Sequence, residues 1–282
     1  MEEQILITYD NGLDISPEFV KKYDLKMIPV HLKVGGDEVL DDGSIKPEEV
    51  VDYFYKNKQL IMTSAPTTQE IFRFFTKYAH LGYTIIHFTC SSKLSYSYDN
   101  AIAAAENFNK VHVIDSKAYA IGGMPLVAKA SQMAKEGKSA KEIIDYCTEM
   151  TKRIKMHVII GKLDFIHSDG RINVAQKMML SLFGMMPTID IEDGYFETQK
   201  SYRGKLEKVS IKAIDDIMKN IKGIERAHAY VGHTGVPSSI IEECRKEVMR
   251  LGDFEEVHTL QCGCSTTTHY GDSGILLCWV EK

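Results

Sequence analysis

Short apolar runs rich in β-branched residues alternate along the chain with amphipathic segments, and this alternation limits the possible folds more than any other feature. A chain that runs strand, helix, strand builds a largely parallel sheet with helices packed on its faces, so we predict an α/β fold. The predicted strands are Ile5–Tyr9, Met27–Val34, Thr84–Thr89, Val111–Ile114, His157–Ile160, Ala227–Val231, Glu256–Leu260 and Ile275–Val280.

Helix start signals lie between several of these strands. Thr67 with Glu70, and Ser139 with Glu142, have the spacing of a capping box, in which a hydroxyl and a carboxylate bond each other's backbone N–H groups. Pro47 suits the first position of a helix because that residue needs no N–H partner. These signals predict helices that begin near residues 47, 68 and 140.

Two segments interrupt the alternation and are typical of hairpins. "MIPVHLKVGGDEVLDDG" turns at Gly35-Gly36, and "TIDIEDGYFETQKSY" turns at Asp193-Gly194. The pattern also changes after the charged run "TKRIKM". We therefore predict two α/β domains: residues 1–156 with a parallel sheet and a hairpin insert at about 27–42, and residues 157–282 with a mixed sheet.

Composition excludes several classes of function. The net charge of −5 gives no electrostatic basis for binding nucleic acid. The acidic start "MEEQILITYD" passes directly into a strand, and no run approaches 18 apolar residues, so we predict a cytoplasmic protein without a transmembrane segment. Cys262 and Cys264 are one residue apart, whereas metal sites usually place two residues between such cysteines. We predict reduced thiols, no metal site and no cofactor.

Hydroxyl side chains are concentrated in three segments: "IMTSAPTTQEI", "FTCSSKLSYSYDNA" and "CGCSTTTHYGDSG". In the second segment, Ser91 or Ser92 fits the cap of the helix that follows. A hydroxyl beside a helix amino terminus also suits an anion, because the first N–H groups there are unpaired. The motifs that bind nucleotide phosphates are absent. The residues alone thus predict an anion-binding α/β protein.

A catalytic serine is the alternative interpretation of this cluster. Such a serine normally lies in a Gly-x-Ser-x-Gly turn, because glycines tolerate its sharp geometry, and no glycine flanks these serines. His87 is the nearest candidate base, although its position within a strand favours core packing.

The three segments, with others in the same order, resemble the DegV family of bacterial fatty-acid-binding proteins over nearly the whole chain. The matching motifs are "TYDNGLDIS" with Asp10 and Asp14, "TSAP", "SSKLSYSYDNA", "VIDSKAYAIGG", "SDGRI" and "STTTHYG". The resemblance implies two α/β domains with a long-chain fatty acid between them. It further implies that the protein is no enzyme but presents the acid to a separate fatty-acid kinase, which makes an acyl phosphate for phospholipid synthesis.

The resemblance also implies which residues bind the acid. Thr63, Ser95 and His269 match the carboxylate ligands. Supporting positions at the head group or entrance are Ser64, Ser92, Tyr96, Thr268 and Arg171. The methionine-rich segment "QKMMLSLFGMMPTIDI" offers adaptable apolar surface for the tail, with ordinary core packing as the alternative. The tunnel lining expected there is Met178, Met179, Leu182, Phe183, Met185 and Met186.

Some positions depart from the family pattern. Lys93, Tyr96 and Asp99 replace residues that are commonly smaller or neutral, and Asp272-Ser273 replaces a Pro-Gly pair. These departures bear on acyl specificity and on the pairing with a kinase, not on the fold. Two alternatives to a carrier remain at this point: a serine-dependent lipid or ester hydrolase, and a regulatory interaction module.

Overall fold

The structure is a computed structural model that describes residues 3–168, 178, 180–219, 221 and 223–282, without the side chains of His167 and Glu192. Its strands form three sheets. The strands are β1 (Ile5–Asp10), β2 (Lys26–Ile28), β3 (His31–Val34), β4 (Asp37–Leu40), β5 (Met62–Ser64), β6 (Thr84–Thr89), β7 (Val111–Asp115), β8 (Ile154–Ile160), β9 (Met185–Glu192), β10 (Tyr195–Arg203), β11 (Ile224–Thr234), β12 (Glu256–Gln261) and β13 (Gly274–Glu281).

Helices connect most of these strands. Two short 3-10 helices, Ala120–Gly123 and Thr151–Arg153, precede helix α5 and strand β8. The α-helices described here are α1 (Pro17–Tyr23), α2 (Pro47–Asn57), α3 (Thr68–Ala79), α4 (Ser97–Ala105), α5 (Met124–Lys135), α6 (Ala140–Met150), α7 (Asp164–Ser168), α8 (Leu206–Lys219), α9 (Ser238–Gly252) and α10 (Cys264–Tyr270). Every helix among the described residues is too short or too polar to cross a lipid bilayer.

The first sheet is wholly parallel, in the order β2–β1–β6–β7. Helices cover both of its faces, which explains why β6 is buried at every position. On one face, α3 and α4 pack through a cluster that includes Phe75 and Ala101. On the other face, α5 and α6 contribute Leu126 and Ile143 to the largest cluster.

The second sheet is mixed, in the order β10–β9–β8–β13–β11–β12, and only β11 and β12 pair in parallel. Helices α8 and α9 cover its outer face around the buried Trp279. Its inner face places Val158 and Leu276 in the same cluster as Ile7 and Phe88 of the first sheet. The two sheets therefore share one apolar core.

The predicted fold class is confirmed: a parallel α/β unit precedes a mixed one. The second sheet begins with β8 at Ile154, close to the predicted domain boundary at 156. The segment predicted as a hairpin insert divides between two sheets. β2 joins the first sheet, while β3 and β4 pair with β5 in a small antiparallel sheet. Pro29 separates them because it offers no N–H to continue the ladder.

The helix signals are confirmed where they were strongest. Both capping boxes form, at Thr67 and at Ser139, and Pro47 is the first residue of α2. Helix α4, in contrast, begins only at Ser97, so the expectation that Ser91 or Ser92 caps it is wrong. The Ser91 hydroxyl instead accepts from the Lys93 N–H at 3.1 Å, which forms a separate turn before the helix.

A close approach between the two units falls at Gly232 of β11. A Cβ atom there would lie 2.5 Å from Cγ2 of Ile121, in the first 3-10 helix, and 3.1 Å from the sulfur of Cys262. Both neighbours are fully buried and have no room to move. Only glycine lets the second sheet contact the first unit at this separation.

We expect Gly232→Ala to reduce the free energy of unfolding by about 1–3 kcal/mol, the usual cost of adding a methylene to a packed core. Gly36→Ala is the matched control, because a Cβ at Gly36 meets nothing within 4 Å. Urea denaturation of both variants measures the difference. Equal stabilities would mean that the two units are not packed as tightly at β11 as the structure shows.

Candidate functional site

The three hydroxyl-rich segments occupy three different elements. The β5 segment, residues 62–67, leads from β5 into α3. The β6–α4 loop, residues 90–96, follows the central strand of the first sheet. The third segment forms helix α10, just before the last strand. Their side chains can form a single site only if these three elements contact each other.

The β5 segment is joined to helix α4 by one asparagine. Asn100 donates from its amide nitrogen to the Pro66 carbonyl at 2.9 Å, and its amide oxygen accepts from the Thr68 hydroxyl at 3.5 Å. Asn100 lies one turn after the start of α4. Helix α4, which follows the loop of Ser95, is therefore held next to the residues that follow β5 and Thr63.

The β6–α4 loop is joined to α10 through residues 118 and 119. The Ser91 N–H donates to the Ala118 carbonyl at 2.7 Å. The neighbouring Tyr119 donates its hydroxyl to the Ser265 carbonyl at 3.1 Å and meets the His269 ring edge-on, with 5.6 Å between centroids. His269 thus lies on the side of α10 that faces Tyr119, next to the residue whose carbonyl holds Ser91.

Helix α10 is joined in turn to the small sheet. The Ser265 N–H donates to the carboxylate of Asp41, directly after β4, at 3.0 Å. The Cys264 thiol donates to the Ile45 carbonyl at 3.3 Å. Because β3 pairs with β5, the small sheet leads back to Thr63. The three hydroxyl segments are therefore linked in a closed ring of contacts.

Two carboxylates, one buried and one half-buried, hold the backbone of this ring. Asp10, at the end of β1, accepts the N–H groups of Gly12 and Cys90 at 2.9 and 3.1 Å. Asp115, at the end of β7, accepts both the N–H and the hydroxyl of Ser92, at 3.1 and 2.6 Å. These two aspartates fix the β6–α4 loop from both neighbouring strands.

A third carboxylate, Asp14, connects the first unit to the second. It accepts the Gly263 N–H at 2.9 Å and the Thr266 hydroxyl at 2.6 Å, both at the start of α10. Asp10 and Asp14 were the two aspartates matched to the opening motif of the sequence. Both are buried, and both accept hydrogen bonds from backbone N–H groups of the hydroxyl segments.

Burial shifts the acidity of these groups. Loss of solvent raises the pKa of Asp10 and of Asp41 to about 6 each, and raises the pKa of Asp14 as well, because the charged form loses its hydration. The N–H and hydroxyl donors that surround each carboxylate oppose this shift. At neutral pH the donors keep Asp10 and Asp41 mostly ionised.

Ser95 is half-buried in the β6–α4 loop and belongs to a chain of hydroxyls. Its oxygen accepts the Ser97 N–H at 3.2 Å and lies 3.1 Å from the Ser97 oxygen. Ser97 in turn bonds the Asp10 carboxylate. The backbone thus fixes the Ser95 oxygen, while its hydrogen remains able to rotate toward another acceptor.

His87, the candidate base for serine catalysis, makes its contacts with core residues of the first unit. Nδ1 of His87 lies 2.9 Å from the hydroxyl of Thr8 on the adjacent strand, and its ring packs edge-on against Phe75. Burial lowers the pKa of His87 to about 3. Its neighbours are those of a packed core histidine, and they provide no serine for it to activate.

A hairpin of the second sheet closes over the β6–α4 loop. The Ser91 hydroxyl donates to the carbonyl of Gly194, in the β9–β10 turn, at 3.0 Å. The Lys93 ammonium lies 5.7 Å from the Tyr195 ring centroid. Phe196, on the next position of β10, meets the ring of Tyr119 at 6.3 Å between centroids. The turn predicted at Asp193-Gly194 therefore contributes to the site.

The residues predicted to support the head group or the entrance differ in their surroundings. The Ser64 hydroxyl lies 3.4 Å from Glu38 on the exposed side of the small sheet. Thr268 is buried and donates to the Ser265 carbonyl within α10 at 2.7 Å. Tyr96 is 76% exposed at the residue before α4. Tyr96 and Ser64 are thus exposed to solvent, whereas Thr268 is enclosed.

The residues predicted to line a tunnel divide into two groups. Met185 and Met186 begin β9, are half-buried, and line a cavity of about 300 Å³ together with Leu163. Arg171 and Met179 lie outside the described residues. The remaining three tunnel residues are between 59% and 72% exposed: Met178, Leu182 and Phe183. The assignments to head group and tunnel stay predictions.

Two residues of the ring carried no role in the sequence prediction. Asp41 follows the "GGDEVL" hairpin, where an aspartate is typical of a turn, and its acceptor role depends on α10, more than 200 residues later. Tyr119 lies within the matched motif "VIDSKAYAIGG", but nothing in its spacing indicates a contact with His269. Its place, as an aromatic residue directly after a loop motif, is the one sequence feature that could have indicated Tyr119 as a site residue.

The family model and the curated relatives that match this chain agree on one family. A family model described as an uncharacterised protein of the DegV family matches residues 4–282. A DegV domain-containing protein of Caldanaerobacter subterraneus is 30% identical, over 99% of this chain and all of its own length. A second one, from Clostridium acetobutylicum, is 27% identical over 93% of this chain and 92% of its own.

Solved structures share the fold. A DegV family protein from Thermus thermophilus, described by its fatty acid binding, superposes with a TM-score of 0.85 at 22% identity, covering 98% of this chain and 99% of its own. The fatty acid kinase B3 protein of Streptococcus pneumoniae, loaded with linoleic acid, superposes with a TM-score of 0.84 at 18% identity, covering 99% and 100%. At these identities the likeness establishes the fold.

The raised pKa of Asp41 predicts how the stability of the ring depends on pH. The folded state binds a proton at Asp41 near pH 6, whereas the unfolded state does so only near its ordinary value of 3.8. Stability from this group is thus complete below the unfolded value and is lost as pH rises through about 6. The stability of wild type relative to Asp41→Asn should therefore rise by about 1 kcal/mol between about pH 7.5 and pH 5.

Urea denaturation at the two pH values measures this difference. Asp37→Asn is the control, because Asp37 is an exposed carboxylate at the start of β4, the strand that precedes Asp41. A wild-type advantage over Asp41→Asn that does not change with pH would contradict the buried, ionisable role of Asp41.

Proposed function

The chain belongs to the DegV family, and on that premise we propose that it binds one long-chain fatty acid between its two sheets. In this proposal the protein is a carrier and performs no chemistry on the acid. The observation that carries the proposal is the closed ring of contacts among the β5 segment, the β6–α4 loop and α10. Thr63, Ser95 and His269 lie on the three elements of that ring.

Hydroxyl donors suit the carboxylate of such a ligand. Removing a carboxylate from water costs several kcal/mol unless donors replace the lost hydration. Ser95 has an oxygen fixed by the Ser97 N–H and a hydrogen able to turn toward the ligand. Thr63 and the His269 ring supply further donors from β5 and α10. These neutral contacts orient the acid without a buried ion pair, which a later enzyme would have to break.

The hydrocarbon tail supplies most of the binding free energy. Each buried methylene contributes about 0.8 kcal/mol, so a long chain offers on the order of 10 kcal/mol before ordering costs. Met185 and Met186, at the start of β9, are the half-buried candidates for contact with the tail. Thioether side chains adapt to chains of different shape.

The partner in this proposal is a fatty-acid kinase. The kinase B3 protein of Streptococcus pneumoniae, with its bound linoleic acid, has the same fold as this chain. We infer that the present protein likewise offers its bound acid to a kinase. The enzyme would transfer the γ-phosphoryl group of ATP to the carboxylate and release an acyl phosphate and ADP.

Binding of the acid is tested with purified full-length protein. We expect organic extraction and mass spectrometry to find a long-chain fatty acid, and the stripped protein to bind palmitate or oleate. Thr63→Val combined with Ser95→Ala should weaken binding about 10- to 100-fold, because two hydrogen bonds to a charged group are lost. Thr76→Ala is the control, since the Thr76 hydroxyl bonds only within α3.

Two results would contradict the binding proposal. Protein that carries no acid and also fails to bind palmitate or oleate would exclude a fatty-acid carrier. Unchanged affinity in the double variant, with circular dichroism showing an intact fold, would move the head-group site away from the ring.

The kinase step is tested by presenting the loaded protein to the fatty-acid kinase encoded in the same genome, with Mg-ATP. We expect acyl phosphate, trapped by hydroxylamine, to form many times faster from the bound acid than from the same concentration of free acid. Equal rates with and without the protein would contradict presentation, while leaving the binding of the acid intact.

A further inference from the structure

A cluster of imidazole and carboxylate groups lies at the edge of the second sheet, far from the hydroxyl ring. Strands β11 and β12 pair in parallel, with His228 opposite Glu256 and Tyr230 opposite His258. Paired residues, and residues two apart, share one face of a sheet. The fold therefore places two histidines and a glutamate side by side on that face.

The nitrogen and oxygen atoms converge. Nε2 of His258 lies 3.2 Å from Nδ1 of His228, and a carboxylate oxygen of Glu256 lies 3.6 Å from that same Nδ1. One ligand atom from each residue falls within 4.8 Å of the others. Two imidazole nitrogens bound to one tetrahedral Zn²⁺, at about 2.0–2.1 Å each, would be separated by roughly 3.3 Å.

Packing fixes the ring of His258. Tyr230 stacks on it, with 5.1 Å between centroids and 19° between planes, and Phe19 of α1 meets it edge-on at 5.4 Å. Its side chain is only 18% exposed, whereas those of His228 and Glu256 are half-exposed. One ligand is thus held rigidly while the other two adjust to it, as a metal site requires.

The cluster of His228, Glu256 and His258 also borders a cavity. It lines a cavity of about 410 Å³ between the second sheet and helices α1, α5 and α6. Glu18 and Lys22 of α1 also line this cavity. Three protein ligands with one position that faces a cavity is the arrangement of zinc sites that keep an exchangeable fourth ligand.

We propose that His228, His258 and Glu256 bind Zn²⁺, through Nδ1, Nε2 and a carboxylate oxygen respectively, with the fourth position facing the cavity. Imidazole nitrogens favour zinc over the hard cations Mg²⁺ and Ca²⁺, which take oxygen ligands. The site is separate from the hydroxyl ring, because its three residues lie on β11 and β12 and take no part in the contacts that form the ring. It does not depend on the proposed binding of a fatty acid.

Titration of the full-length, chelator-treated protein with Zn²⁺, in competition with a chromophoric chelator, tests the site. We expect one Zn²⁺ per chain, and Co²⁺ in its place should show the visible bands of tetrahedral coordination. His258→Ala should weaken Zn²⁺ binding at least about 100-fold, and Glu256→Gln about 10-fold, because loss of even a group that only supports a metal ligand costs about 10- to 100-fold. His80→Ala, at the exposed end of α3, should bind as wild type does.

The alternative is a hydrogen bond between two neutral imidazoles, which needs no metal. It predicts no stoichiometric Zn²⁺ binding, and that result would overturn the proposal. Zn²⁺ binding that survives both His258→Ala and His228→Ala would overturn it as well, because the metal would then lie elsewhere. His228→Ala and Glu256→Gln change half-exposed side chains, so these variants test the site even if His258→Ala does not fold.

Discussion

Carboxylates that are buried or half-buried near the ends of strands are the interaction on which the rest of this structure depends. Each would be costly to bury alone, and each is kept by donors from a loop that it organises. Asp10 and Asp115 hold the β6–α4 loop, and Asp14 and Asp41 hold α10. Removing any one would leave buried N–H groups unpaired, so the loops and the carboxylates stabilise each other.

The carboxylates also determine how the two units meet. Asp14 and Asp41 belong to the first unit, but their partners Gly263 and Ser265 belong to α10, next to the second sheet. Gly232 lets β11 approach Ile121, and the inner faces of both sheets share one core. A ligand between the sheets would therefore meet a framework that is already rigid on its polar side.

Local signals in the sequence predicted the parts of the fold that local physics decides. Capping boxes at Thr67 and Ser139 formed because their partners lie three residues away. Met27–Val34 was predicted as a single strand, whereas the chain breaks at Pro29 and Lys26–Ile28 pairs with β1, a contact that no signal within the segment indicates.

The two sites show the same contrast between local signals and contacts that no local signal indicates. The hydroxyl segments were visible as composition, whereas the ring that joins them depends on Asp41 and Tyr119, whose partners are 224 and 146 residues away. His228, Glu256 and His258 come together only through the parallel register of β11 and β12. No spacing in the sequence indicates that register.

The neighbouring lysines clarify why neutral donors would hold the acid. Lys93 lies over the Tyr195 ring and Lys117 lies 3.6 Å from Asp193, so both are directed at the hairpin of the second sheet. The Ser95 hydroxyl, in contrast, donates its hydrogen to another hydroxyl, that of Ser97. Binding a carboxylate there exchanges one hydrogen bond for another, which is nearly balanced in free energy. The head group would then be oriented but easily released, while the tail would determine the affinity.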